Sequence, residues 1–121
     1  MSGYKELKVY QKSYKAARAI YRITKEFPEE EKYGMTSQMR RASMSIALNI
    51  AEGYAKRESQ QEFKRFLMMA IGSANEMEVL TDFAEDFGYI SKETHLKATE
   101  EYRAIGKMLN RMIKEVSKNI E

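Results

Sequence analysis

Apolar residues recur at alternating steps of three and four through four long segments of this chain, and no segment alternates apolar and polar every second residue. A chain patterned this way can bury its apolar faces only by packing helix on helix. The first stripe runs Leu7, Tyr10, Tyr14, Ala17, Tyr21 and Thr24. It predicts an amphipathic helix ending near Phe27, because Pro28, the one proline, disfavours helical geometry in the residue before it. Residues 28–34, PEEEKYG, then read as a polar loop. Thr36 or Ser37 is the expected N-cap of a second helix, with Met39, Ala42, Ile46, Ile50 and Gly53 inside. The third opens at Ser59 with an S-x-x-E capping box closed by Glu62. Its stripe is Phe63, Phe66/Leu67, Ala70, Ala74, Met77, Thr81 and Ala84, and Gly88 should terminate it after Phe87. The fourth starts after Ser91 and carries Leu96, Thr99, Gly106, Leu109, Ile113, Val116 and Ile120.

Helices of about 20 to 27 residues are about 30 to 40 Å long. Short links between them predict an all-α fold, an antiparallel up-down-up-down four-helix bundle, as a single domain over residues 1–121. The composition agrees: 43% of the 121 residues are hydrophobic, enough for one core, and the 32% that are charged are mixed in sign. A second domain is not expected. With no cysteine there is no disulfide or thiolate chemistry, and the N-terminal MSGYKELKVYQKSYK lacks the apolar run of a signal peptide. Nor does any run of 18 apolar residues occur, so the expected location is the cytoplasm, with no membrane partner.

The formal net charge of +3 hides an asymmetry. Lys5, Lys8, Lys12, Lys15, Arg18, Arg22 and Lys25 stand against Glu6 alone in the first helix, on the side opposite its tyrosines. Residues 76–86 hold Glu76, Glu78, Asp82, Glu85 and Asp86 with no base. A basic face interleaved with tyrosines suits a phosphate backbone, whose counterions are released on binding. The same stripe is also what the solvated side of any amphipathic helix looks like. As a third reading, basic and acidic faces on neighbouring copies can steer self-association.

The pattern offers little to catalysis. His95 is the one histidine, which leaves neither a paired-histidine metal site nor a Ser-His-Asp triad. Glu62, Glu76 and Glu78 lack the Glu-x-x-His partners of a di-iron bundle, and no glycine-rich phosphate loop is present. RRAS (40–43) looks like a basophilic kinase motif, but Ser43 falls on or beside the buried stripe. The Met68-Met69 pair and Met108 with Met112 suit pliable core filler. No catalytic residue, metal or cofactor is expected, and the chain is read as not an enzyme.

The second helix is the unusual one. Ala42, Ser43, Ala47, Ala51 and Gly53 permit close approach on more than one side, and Gly72-Ser73 on the third helix offers a matching flat patch. Arg41, Ser45, Leu48 and Glu52 make a further stripe, with Asn49 and Glu52 as polar pins of helix or subunit register. Arg40, Arg41, Lys56 and Arg57, at the two ends, are the positions left to touch phosphate.

The segments ELKVYQKS (6–13), FPEEEKYGMTSQMRRASMSIALNIAEGYAKR (27–57), EFKRFLMMAIGSANEME (62–78) and DFGYI (86–90) closely resemble a family of four-helix-bundle proteins encoded in intervening sequences of bacterial large-subunit ribosomal RNA genes. The resemblance spans nearly the whole chain. Its signature positions here are Tyr33, Gly34, Ser37, Gln38, Arg40, Arg41, Asn49, Glu52 and Gly53, and none brings a catalytic role with it. It implies a left-handed bundle assembled into a ring, expected to be a homopentamer, with a largely undefined biochemical role. More distantly, the fold is similar to the accessory protein of diversity-generating retroelements, a basic pentamer that binds reverse transcriptase and nucleic acid. One departure is Ala47, where family members usually carry proline, so a kink there is expected to be weaker.

Three hypotheses follow. In the first, an oligomeric bundle contacts RNA or a reverse-transcriptase-like, nucleic-acid-bound protein through Lys5, Lys8, Lys12, Lys15, Arg18, Arg22, Arg40, Arg41, Lys56 and Arg57. The second is an assembly or adaptor protein whose charges serve subunit contacts. The third is a bundle that binds a small molecule or metal in an interhelical pocket.

Overall fold

The structure, a computed structural model, describes residues 3–120 and contains four α-helices and, among those residues, no strand. They are α1 (Lys8–Thr24), α2 (Met35–Ala55), α3 (Gln60–Asp86) and α4 (Lys92–Ser117), with short 3₁₀ turns at Tyr4–Glu6 and Glu29–Glu31. Contacts pair the start of one helix with the end of the one before it. Arg40 reaches Thr24, Gly53 lies against Phe63 and Phe66, and His95 bonds Asp82 while Asn119 bonds Gln60. Successive helices therefore run in opposite senses. The helices pack in the cyclic order α1, α2, α3, α4, with α1 closing on α4 least closely.

The helix ends show what the local sequence decides. Ser59 Oγ accepts from Glu62 N at 3.2 Å, and Ser91 Oγ accepts from Thr94 N at 3.1 Å. Only half of the expected capping box forms, because the Glu62 carboxylate turns outward to Arg65. That guanidinium holds the Glu62 carboxyl below the usual range. At Gly88, φ is +81°, the left-handed cap that lets Tyr89 N return to Ala84 O at 2.8 Å.

Two boundaries move. Hydrogen-bonded α1 stops at Thr24, three residues before Phe27, and the chain continues as a turn. Helix α2 starts at Met35 with Gly34 as its N-cap, earlier than Thr36 or Ser37 would give. The 3₁₀ turn after Pro28 folds Glu31 back so that its Oε1 accepts from Met35 N at 3.0 Å, while Oε2 accepts from the Tyr89 hydroxyl at 2.8 Å. These two donors hold the Glu31 carboxyl below its ordinary range, and an anion at a helix start is favoured by the macrodipole. A Cβ on Gly34 would come within 2.8 Å of Glu31 Oε1, so a side chain there would push the capping carboxylate aside.

The core joins all four helices. All of the inner positions expected on α2 are buried. On α3 the expected stripe is buried with Leu67 inside, and Phe66 is only half-buried. Helix α1 differs. Its inward side is Val9, Ser13, Ala16, Ile20 and Thr24, whereas Tyr14 and Tyr21 are exposed. Successive helical residues differ by about 100° in direction, so a stripe displaced by one position lies on the flank rather than in the core. On α4, Leu96 is 58% exposed, and Tyr102 and Ile105 take the core beside Thr99, Leu109 and Val116.

Candidate nucleic-acid interface and assembly surfaces

Since the buried side of α1 is fixed by Val9, Ala16 and Ile20, the residues opposite must face water. Lys8, Lys15, Arg18 and Arg22 are exposed there, Lys5 is exposed on the 3₁₀ turn before α1, and among the described residues none of the five forms an ion pair. Lys12 is set apart. Half-buried, it pairs with Glu101 of α4 at 3.3 Å, so it bridges two helices.

The Arg40 side chain turns inward to the end of α1. Its Nε donates to Thr24 Oγ1 at 2.8 Å, one Nη donates to the Tyr21 carbonyl at 3.3 Å, and the guanidinium stacks 4.0 Å from the Tyr21 ring centroid. A cation at a helix C-terminus completes carbonyls the helix leaves unpaired, so Arg40 ties α2 to α1. Its neighbour Arg41 is exposed. At the far end of α2, Lys56 pairs with Glu52 at 3.4 Å and lies over Phe66. Arg57 donates to the Tyr54 carbonyl at 2.8 Å and stacks on the Tyr54 ring. Arg41 and Ala55, the last residue of α2, are already roughly 21 Å apart along the helix, and Arg57 lies beyond that end, so the two ends of α2 do not form one site.

The signature positions divide in the same way. Tyr33 is 88% exposed beneath the Lys32 amine, and Ser37 and Gln38 are exposed. Asn49 Nδ2 donates within α2 to the Ser45 carbonyl and to Ser45 Oγ, which also accepts from Ser73 of α3. This is a polar knot across the α2–α3 seam. Glu52, expected as a second pin, is exposed, with Lys56 of its own helix as its partner. Gly53 is buried where α2 meets Phe63 and Phe66, but Gly72 faces open space on the outside of α3, so only Ser73 of that pair reaches α2.

Sequence reasoning missed one surface. The tyrosines displaced from the core line a groove of about 400 Å³ between α1 and α2, with Tyr4, Tyr10, Tyr14, Tyr21, Met44 and Leu48 on its walls and Arg18 at its edge. Leu48 is 67% exposed and Met44 51%, which together leave an apolar patch on the outside of α2. The place of Leu48 in a stripe with Arg41 and Glu52 was the signal available. Among the described residues no cluster of three or more His, Cys, Asp or Glu can hold a metal ion, and no helix is long and apolar enough to cross a membrane.

Residues 5–111 match the model of the 23S rRNA-intervening sequence protein family. The chain belongs to that family. A crystal structure of a protein with unknown function from the S23 ribosomal protein family of Bacteroides thetaiotaomicron superposes with a TM-score of 0.79 at 28% identity, covering 88% of this chain and 95% of that one. No curated protein matches the chain. For this intervening-sequence protein, membership accounts for the four-helix fold and gives no biochemical activity. Any function must be argued from its surfaces.

Proposed function

We propose that this intervening-sequence protein is a non-enzymatic, self-assembling bundle, working in the cytoplasm, whose basic outer α1 face contacts RNA or a nucleic-acid-bound protein. The observation that carries the reading is the row Lys8, Lys15, Arg18 and Arg22. These cations are exposed and have no carboxylate partner among the described residues. Unpaired cations on one helix attract phosphate at long range and release its counterions on contact. Assembly into a ring, the homopentamer that the family resemblance implies, would repeat this face around one particle and multiply weak contacts by avidity. Exposed apolar surface on α1, α2 and α3 supports the self-assembling half of the reading.

The test is binding to a structured RNA across a salt titration, using the parent chain and the triple variant Lys8→Glu/Lys15→Glu/Arg22→Glu. Lys12 is left intact because it holds α4. The parent should lose affinity steeply with salt. The variant should bind at least about tenfold more weakly at low salt, with a shallower slope, while keeping its helix content and assembly state. Salt-insensitive binding, or no binding at low-millimolar ionic strength, overturns the RNA reading. Collapse of the assembly in the variant would instead assign these charges to subunit contacts.

A further inference from the structure

The groove between α1 and α2 is not the only apolar surface left uncovered. Along the outer side of α3, turned away from Leu67, Ala70, Ala74 and Met77, stand Met68, Val79 and Phe83, with Gly72 between them. Val79 and Phe83 are each about half exposed and line a shallow hollow with Asp82 and Asp86. Spaced by four, seven and four, with polar Asn75 and Glu76 in the gap, these residues form a second, interrupted apolar stripe on a helix whose first stripe already fills the core. A monomer rarely exposes two such patches without a use for them.

The two patches differ in kind. One is a concave aromatic groove with Arg18 at its edge, and with Arg40 and Lys25 over the outer ring, Tyr21. The other is the outward face of a single helix, flanked by Glu76, Asp82 and Asp86, with a glycine where a partner backbone could approach closely. They also lie on different sides of the bundle, because α1 and α3 are not neighbouring helices in it. Neither patch complements itself: two grooves would face each other with arginines, and two α3 faces with carboxylates. Apolar filling and opposite charge both pair the groove of one copy with the α3 face of another.

We propose that the outer face of α3, centred on Val79 and Phe83, docks into the α1–α2 groove centred on Met44 and Leu48 of a second copy. This inference rests on the self-assembling reading above and gives it an interface. A head-to-tail contact of this type leaves one groove and one α3 face free at the ends of every chain of copies, and it terminates only when the ring closes. Of the basic α1 row, Arg18 borders the groove, whereas Lys8, Lys15 and Arg22 do not line it, so docking leaves those three accessible.

Sedimentation velocity on two double variants tests the pairing. One breaks the groove (Met44→Asp/Leu48→Asp) and the other breaks the α3 face (Val79→Lys/Phe83→Lys). All four positions are substantially exposed, so each variant should keep the parent's helix content by circular dichroism. Each should sediment as a monomer alone, and an equimolar mixture should give a one-to-one dimer and nothing larger, since one intact groove meets one intact α3 face. A parent that is itself monomeric at tens of micromolar overturns the self-assembling reading. An assembled parent with variants that still assemble alone, or that stay monomeric when mixed, overturns only the interface. If a charged variant unfolds, Leu48→Ser and Val79→Ser carry the same test, each expected to weaken assembly about tenfold, and parent-like assembly of both overturns the interface.

Discussion

The α2–α3 seam and the α1–α4 seam are built from similar small residues and reach opposite results. Across α2–α3, glycine, alanine and serine let the helices approach until a Cβ on Gly53 would sit 2.8 Å from Phe66 Cβ and 3.3 Å from the Phe63 carbonyl. Inside that contact Ser45, Ser73 and Asn49 bond one another. Across α1–α4, Ala16, Ala19 and Ala98 instead leave a cleft of about 340 Å³, bordered by Lys15, Lys97 and Glu101. Tyr102 and Thr99 hydroxyls are buried beside it with no described protein partner. Small side chains therefore permit close approach without causing it. A second interaction, such as the serine pair, must draw the backbones together.

The largest expected effect separates the seams through glycine. Gly53→Val should lower the unfolding free energy by about 3 kcal/mol, because the new branches meet a Cβ and a backbone oxygen that cannot rotate away. Gly106→Ala on α4 should raise it by about 0.5 to 1 kcal/mol, since nothing lies within 4 Å of its Cβ and alanine favours the helix. Urea unfolding of both variants measures the pair. Equal signs would show that α2 and α3 can relax apart, and that the tight seam is not a constraint.

These two seams also explain what was legible in the sequence. Helix α3 packs against both α2 and α4, so its long inward stripe had only one place to go. Helix α1 has a packed side, a tyrosine flank and a basic side, and all of these show the same three-and-four spacing. Bulk alone favoured the tyrosines, yet the buried side of α1 is Val9, Ser13, Ala16 and Ile20. Tyr102 was hidden for the converse reason: it is a large polar-ended residue filling space that the alanines leave. The basic row was legible because charges without partners must face solvent. Arg40's return to α1, the Glu31 cap on α2 and the groove were not, since each depends on which helix ends meet.

Tyr102 gives the next test. Its side chain is 1% exposed, and burial holds its phenol well above the ordinary tyrosine range. Tyr102→Phe keeps the ring that fills the core and removes a hydroxyl without a protein partner, so stability should rise by about 1 kcal/mol. A loss of that size in urea unfolding would mean that the hydroxyl is satisfied, and that the α1–α4 seam is as well bonded as its counterpart.

The smallest effect concerns the bridge that spans the looser seam. Lys12 and Glu101 meet at 3.3 Å with side chains 34% and 39% exposed. Solvent at that exposure screens the attraction, so a double-mutant cycle through Lys12→Met and Glu101→Gln should give a coupling of about 0.5 kcal/mol that shrinks with added salt. The analogous cycle on Ser45→Ala and Ser73→Ala should give a coupling that salt leaves unchanged, because neutral hydroxyls carry it. If the serine coupling were the salt-sensitive one, direct packing could not be what holds α2 to α3. A salt-sensitive Lys12 bridge beside a salt-indifferent serine pair would instead make α1 the helix whose docking weakens first as ionic strength rises. That matters for function, because α1 carries the basic row, and the salt that releases phosphate from that row would also loosen the helix presenting it.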